Sequence, residues 1–288
     1  MYKVAILGCE NSHADSFLSL IKDGLYPDLE VVGVYSHEEE PPKKLQEKYG
    51  VAIMKNYDEL IGKVDGIMIT ARHGDNHYKY AAPYLASGIP MFIDKPITCK
   101  EEEAVAFMKA AKENKVRLCG GSVCGFADEA TELSEIVKNS PAGTFTGGNL
   151  TCPIYMDSVH GGFFFYAQHL VEIMLRVFGA DVLEVSADRF EKSLSFVAKY
   201  KDFHVTATYA QQKGYYYVSV FTRDGATSRM LTINRQSFCH ELDSMLALLK
   251  GDDMTTDYQS FIRPVFIMNA LLRSAETHTW VPISTPEI

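Results

Sequence analysis

Six short apolar runs fall within residues 1–121, at 3–7 (KVAIL), 30–35 (EVVGVY), 51–54 (VAIM), 65–70 (DGIMIT), 90–94 (PMFID) and 116–119 (VRLC). Helical spacing appears between them, in Ala14, Phe17, Leu18 and Ile21, in Ala81 and Leu85, and in Ala104, Phe107, Met108 and Ala111. Strands written as near-continuous apolar runs are buried on both faces, and strands separated by helices pair in parallel through crossovers. The pattern predicts an α/β, Rossmann-like doubly wound domain over residues 1–121.

The rhythm changes at GGSVCG, residues 120–125. After one helical stretch come the period-2 segments FTGGNLTC, VLEVSADR, SLSFVAKY, FHVTATYA, YYYVSVFT and SRMLTI, separated by Gly, Asp and Lys turns. They predict an α+β domain over 122–288 with an open, mostly antiparallel sheet. One helix, GGFFFYAQHLVEIMLRVFG, interrupts the strands, and two more, in CHELDSMLALLKG and DYQSFIRPVFIMNALLRSAE, close the chain. The boundary reads as a strand-to-helix crossing without a flexible tether.

With 47% hydrophobic and 23% charged residues, 288 residues can bury a substantial core without staples. The net charge of -9 argues against a nucleic-acid partner, whose phosphates require clustered Lys and Arg, and favours a small-molecule partner. Nowhere do 18 apolar residues run together, so no membrane partner is expected. The six cysteines form no C-x-x-C pair and match no zinc framework, which predicts reduced thiols. The strand-like YKVAIL start lacks the pattern of a secretory leader, and a cytoplasmic location is expected.

The first apolar run leads into AILGCENSHADSF, residues 5–17. In the G-x-G-x-x-G fingerprint the first glycine makes a tight turn, the second lets backbone reach a pyrophosphate, and the third lets helix and strand pack. Gly8 alone survives; Glu10 and His13 occupy the other two positions. A Glu10 carboxylate would oppose a phosphate unless it turned away. Asn11 and Ser12 are good N-cap residues, and backbone N–H groups over Asn11, Ser12 and His13 remain an anion site at a helix start. The plain alternative is a strand-turn-helix with no ligand. The acidic residue expected to close the second strand is replaced by Ser36, with Glu38 to Glu40 nearby, which leaves NAD and NADP both open.

After the fifth run comes FIDKPIT. A lysine before proline is biased to extended backbone, so Lys95 is placed at a strand's carboxyl end, the edge where open parallel sheets bind ligands. The chain here resembles the Gfo/Idh/MocA oxidoreductases. The resemblance rests on the Gly8 loop, TARHGDNHYKYAAPYLASGIPMFIDKP, GGFFFYAQH and SAETHTWVPIS, and covers essentially the whole chain. The DKP run carries Asp94 where the family has Glu.

That resemblance implies a Rossmann domain joined to an open-sheet domain, with NAD or NADP as cofactor. It implies Gly8, Asn11, Ser12, His13, Ser36, Thr70, Arg72, His77 and Asp94 as candidate cofactor-binding residues. Lys95 and His169 match the family's catalytic lysine and the histidine of its D-x-x-x-H pair, but the position four before His169 is Phe165. Tyr166, three before His169 and near the same helix face, is the candidate replacement for part of that polar function, set against the plain alternative that the aromatic run Phe163 to Tyr166 packs between helix and sheet. In hydride transfer from a secondary alcohol, His169 would move the hydroxyl proton and Lys95 would hold the oxygen.

Arg72 lies in a loop lengthened relative to the family's Thr-Pro-Asn turn, where it would meet a phosphate or carboxylate or else sit in solvent. Asp157 and His160 precede the helix of His169 and read as a surface turn or, if the loop folds over a cleft, as added polarity; without an H-x-x-x-H or a carboxylate pair, no metal centre is expected. The expectation is an NAD(P)-dependent dehydrogenase of a sugar, inositol or related polyol, forming a homodimer or homotetramer through its C-terminal sheet because exposed aromatic strands are costly. The competing readings are a catalytically lapsed NAD(P)-binding sensor and a non-redox lyase or hydrolase that uses bound NAD.

Overall fold

The computed structural model describes every residue except Ala142, Gln212 and Lys213. Its chain divides into two compact units: Met1–Gly121 with Phe238–Ile262 and Glu287–Ile288, and Ser122–Ser237 with Arg263–Pro286. The grouping differs from a simple cut at 121, since Phe238–Ile262 packs with the first unit.

The first unit holds β1 (Tyr2–Leu7), β2 (Leu29–Tyr35), β3 (Gly66–Ile69), β4 (Met91–Asp94) and β5 (Leu118–Gly121), all parallel, in the order β2-β1-β3-β4-β5. Five strands replace the six expected. Residues 51–54 make one parallel bridge, Val34 to Ile53: Val34 N–H donates to Ala52 O and Met54 N–H to Val34 O, each at 2.9 Å. The segment lies outside β2 between Gly50, a left-handed helix cap, and Lys55, too short to extend a ladder. Counted as a vestigial third strand, it restores the 3-2-1-4-5-6 order of dinucleotide-binding sheets.

Helices α1 (Ser12–Lys22), α2 (Glu40–Tyr49), α3 (Asp75–Ala81, continued by a 3-10 turn to Ser87) and α4 (Glu101–Glu113) link these strands. Phe17 of α1 meets Phe92 of β4 edge to face, with centroids 5.4 Å apart. Leu242, Met245 and Leu248, from the segment that returns to this unit, join the same buried cluster.

In the second unit, α5 (Asp128–Asn139), β6 (Phe145–Pro153), α6 (Phe164–Phe178), β7 (Glu184–Phe190), β8 (Ser193–Lys199), β9 (His204–Ala210), β10 (Tyr216–Thr222), β11 (Gly225–Leu231) and β12 (Val281–Pro282) follow in chain order. Helices α7 (Arg235–Lys250) and α8 (Tyr258–Thr277) each contribute to both units. The sheet order is β11-β10-β6-β9-β8-β7-β12, antiparallel except for the β6–β9 pair.

Strand alternation decides which aromatics are exposed. In β9, Val205, Ala207 and Tyr209 are buried, and Tyr209 donates its hydroxyl to Ala167 O at 2.6 Å, so the outward positions are His204, Thr206 and Thr208. The aromatic of β9 is therefore turned inward, while Tyr217 and Phe221 of β10, Met230 of β11 and Phe190 at the end of β7 are exposed. Among the described residues, no helix is long and apolar enough to cross a membrane.

Candidate active site

The turn after β1 is clamped by its neighbours. Gly8 and Cys9 N–H both donate to Tyr35 O, at 2.8 and 2.9 Å, and Thr70 Oγ1 donates to Gly8 O at 3.0 Å. Gly8 has φ +83°, and a Cβ there would stand 2.4 Å from Ala71 N and Cα, so the turn needs glycine for conformation and for space. Fully buried Thr70 braces the turn with its hydroxyl.

Asn11 occupies the N-cap position of α1 with extended backbone, but its side chain makes no cap bond. Its amide donates to Asp94 Oδ2 at 2.8 Å, because the fully buried carboxylate at the end of β4 must be satisfied. The first-turn N–H groups of α1 thus lack a side-chain cap, and with the helix dipole they supply the donor set a pyrophosphate needs. Ser12 is exposed beside them, its Oγ 3.3 Å from Asn11 Oδ1.

Glu10 is 4% exposed and bridges the ends of β2 and β3. Its Oε2 accepts from Ser36 Oγ at 2.8 Å and its Oε1 from Arg72 N–H at 3.2 Å. Arg72 is not a free loop cation: its guanidinium donates to Glu10 O and lies 3.5 Å from Glu38 Oε1. The feared carboxylate is therefore bound to Ser36 and Arg72 rather than to the first turn of α1.

His13 places its ring in the interior, where Nδ1 is 3.6 Å from Asp94 Oδ2 and Nε2 is 3.6 Å from Glu241 Oε2. Burial opposes the imidazolium, but Asp94 and Glu241 outweigh it and hold His13 above its ordinary range. Burial raises the Glu241 carboxyl against the pull of His13. What His13 offers an anion is its backbone N–H, not its ring. Glu241 escaped sequence reasoning, although a glutamate among Phe238, Leu242, Met245 and Leu248 on one helical stripe was a readable signal.

Lys95 follows β4, joined to Pro96 by a cis peptide, and its N–H donates to Asp94 Oδ1 at 2.7 Å. It is 4% exposed, and its charge acts on His13, His77 and Glu241. Fully buried His77 spans two loops, with Nδ1 2.6 Å from Pro96 O and Nε2 2.8 Å from Ala71 O. Burial holds its pKa below the ordinary range, although Asp94 favours the charge. His77 thus ties the Arg72 loop to the segment carrying Lys95.

His169 and Tyr166 lie on α6 in the second unit. His169 is 5% exposed, and its Nδ1 is 2.6 Å from Ser122 Oγ and 3.3 Å from Cys124 Sγ. Ser122 Oγ also accepts from Cys124 N–H at 3.1 Å, which fixes the hydroxyl in the 3-10 turn Val123–Phe126. The ring is therefore oriented from Ser122 rather than from the position four before it. A hydroxyl can donate to or accept from Nδ1, so it keeps hold of the ring in either tautomer, leaving Nε2 to exchange a proton. Sequence reasoning missed Ser122 because its partner lies 47 positions away.

Phe165, half-buried, meets Tyr166 at 5.3 Å and His160 at 5.2 Å between ring centroids. Tyr166 packs edge to face on His169 at 4.9 Å and on Tyr155 at 4.8 Å. Burial, then Tyr155, raises the Tyr166 phenol, which favours the neutral hydroxyl. Asp157 and Phe165 line an open cavity of about 380 Å³ with Tyr155, Ser158 and Lys192. Among the described residues, the group with metal-ligand potential is His73, Asp75 and Cys99, whose atoms lie within 4.8 Å of one another.

Residues 2–122 match the model of an oxidoreductase family with an NAD-binding Rossmann fold. No curated protein matches the sequence. Solved structures match over nearly the whole chain. GenD2 from gentamicin A biosynthesis, crystallised with NAD, is 16% identical with a TM-score of 0.86, covering 99% of this chain and 97% of its own. The scyllo-inositol dehydrogenase from Lactobacillus casei with bound NAD(H) and scyllo-inositol is 13% identical, and the myo-inositol 2-dehydrogenase from Lactobacillus plantarum 15%. Each has a TM-score of 0.84 and covers 98% of this chain and 99% of its own. At such identities the likeness establishes the fold. The match makes residues 2–122 similar to the NAD-binding Rossmann domain of the Gfo/Idh/MocA oxidoreductases, and the solved structures extend that likeness of fold over nearly the whole chain.

Proposed function

We propose that this chain is an NAD(P)-dependent dehydrogenase acting on the CH–OH group of a sugar, inositol or related polyol. The observation that carries the reading is the glycine-dependent turn at Gly8 leading to an α1 N-terminus with no side-chain cap, within a segment that matches the model of an NAD-binding Rossmann family. Gly8 and the backbone of Asn11, Ser12 and His13 would hold the pyrophosphate, with Ser36 and Glu10 at the end of β2. Bound nicotinamide supplies the hydride acceptor or donor.

The protein's own groups supply the rest. Lys95, anchored through Asp94, donates to the reacting oxygen. His169, held at Nδ1 by Ser122, moves the hydroxyl proton through Nε2, and Tyr166 assists as a neutral donor. Inositol dehydrogenases among the structural neighbours support a polyol as the substrate class.

The test is a panel of inositols, sugars and polyols with NAD or NADP, followed by nicotinamide absorbance. The reading expects net reduction with at least one polyol and its loss in Lys95→Ala. Binding without turnover across the panel would favour the lapsed sensor, for which Phe165 and Glu10 are the motivating residues. Substrate breakdown without net NADH would favour non-redox chemistry.

A further inference from the structure

Two departures from the fingerprint meet at one point. The end of β2, where dinucleotide-binding sheets place an acidic residue against the adenosine ribose, carries neutral Ser36. The second glycine of the loop, where a side chain is usually excluded, is Glu10. The Glu10 carboxylate lies 2.8 Å from Ser36 Oγ, so the missing negative charge returns to the end of β2 from a different element. We infer that Glu10 makes this site prefer NAD over NADP. This rests on the dinucleotide-binding reading above and adds the residue that selects the cofactor.

The surrounding charges point the same way. Arg72 is a cation that a 2'-phosphate would seek, but it is already engaged by Glu10 O and by Glu38 at 3.5 Å. Glu10 and Glu38 together carry two negative charges against its one positive charge, and Glu39 and Glu40 follow immediately. The Glu10 carboxylate is buried and hydrogen-bonded, so it is fixed in place and cannot swing away as an exposed side chain would. A 2'-phosphate would bring a further doubly charged group to this corner, whereas a ribose hydroxyl would bring none. Two like unit charges ~6 Å apart at an effective dielectric near 20 repel by an amount equal to about 100-fold in affinity.

The experiment measures dissociation constants of NADH and NADPH by nicotinamide fluorescence on the wild-type chain, Glu10→Gln, and Glu10→Gln combined with Ser36→Asp. Glutamine keeps an acceptor oxygen for Ser36 or Arg72 and removes the charge. The wild type is expected to bind NADH at least about 30-fold more tightly. Glu10→Gln should cut that ratio at least about tenfold, chiefly by strengthening NADPH, and Ser36→Asp should restore it. A salt series on the wild type needs no variant to fold: the ratio should narrow as ionic strength rises. A wild type that prefers NADPH, a ratio unchanged in Glu10→Gln, or a ratio indifferent to salt overturns the inference while leaving dinucleotide binding intact. Binding of neither nucleotide overturns both.

Discussion

Replacing Gly8 with alanine isolates what the opening turn requires. At φ +83° an alanine costs about 1–2 kcal/mol of backbone strain. Its Cβ would also stand 2.4 Å from Ala71 N and Cα, backbone atoms that no rotamer change can move. Shifting them adds about 1–3 kcal/mol, by analogy with overpacked cores. Gly8→Ala should therefore cost about 2–5 kcal/mol, a fall in melting temperature of roughly 4–20 °C for a domain of this size. Gly24 has φ +80° with nothing within 4 Å of its would-be Cβ, so Gly24→Ala should show the strain alone. Urea unfolding followed by circular dichroism measures both. A Gly8→Ala loss no larger than that of Gly24→Ala would refute the steric argument, and a loss below about 0.5 kcal/mol would refute the turn's requirement for glycine altogether.

Other consequences are equally open to measurement. Burial pushes Glu172 up to about 7 although Gln168 donates to it at 2.8 Å, so its contribution to stability is full below its unfolded value near 4.5 and is lost as pH rises through about 7. Half-burial and solvent screening bring the loss to about 2 kcal/mol, and Glu172→Gln should flatten the denaturant midpoint between pH 5 and 9. Ser122→Ala should lower kcat on an active polyol at least about tenfold, and Ser122→Thr should restore most of it, since threonine keeps the hydroxyl that holds His169 Nδ1 and accepts from Cys124 N–H. On the oligomer reading, light scattering should give a dimer or tetramer for the wild type and a smaller species for Tyr217→Lys with Met230→Lys, which charge the outer face of β10 and β11.

The parallel strands were legible because each is buried on both faces and bounded by turns. Helix α2 was not, since Pro42 and Leu45 are its buried residues and no apolar stripe announces it; the prolines of its first turn were the available signal. The strand expected at 51–54 shrank to a bridge because apolar content records burial, not the length of a ladder. The stripe of α7 reads as an amphipathic helix but does not say which sheet it covers, so its return to the first unit lay beyond sequence reasoning.

The candidate site divides along the same line. Gly8 and Lys95 could be placed because each sits at a strand end. The turn of Glu10 toward Ser36, the draw of Asn11 to Asp94 and the hold of Ser122 on His169 join residues 26, 83 and 47 positions apart. Local spacing directed attention to Phe165 as the missing orienter of His169, whereas the orienting group comes from another element.

Calorimetric titration of the purified chain with NAD tests most directly whether a loop that keeps one fingerprint glycine still holds a dinucleotide. Saturable one-to-one binding below millimolar concentration, abolished or greatly weakened in Gly8→Ala at a temperature where that variant remains folded, is the expected result. No saturable heat up to millimolar NAD, or binding indifferent to Gly8→Ala, would contradict the assignment of the Gly8 turn and α1 N-terminus as the cofactor site.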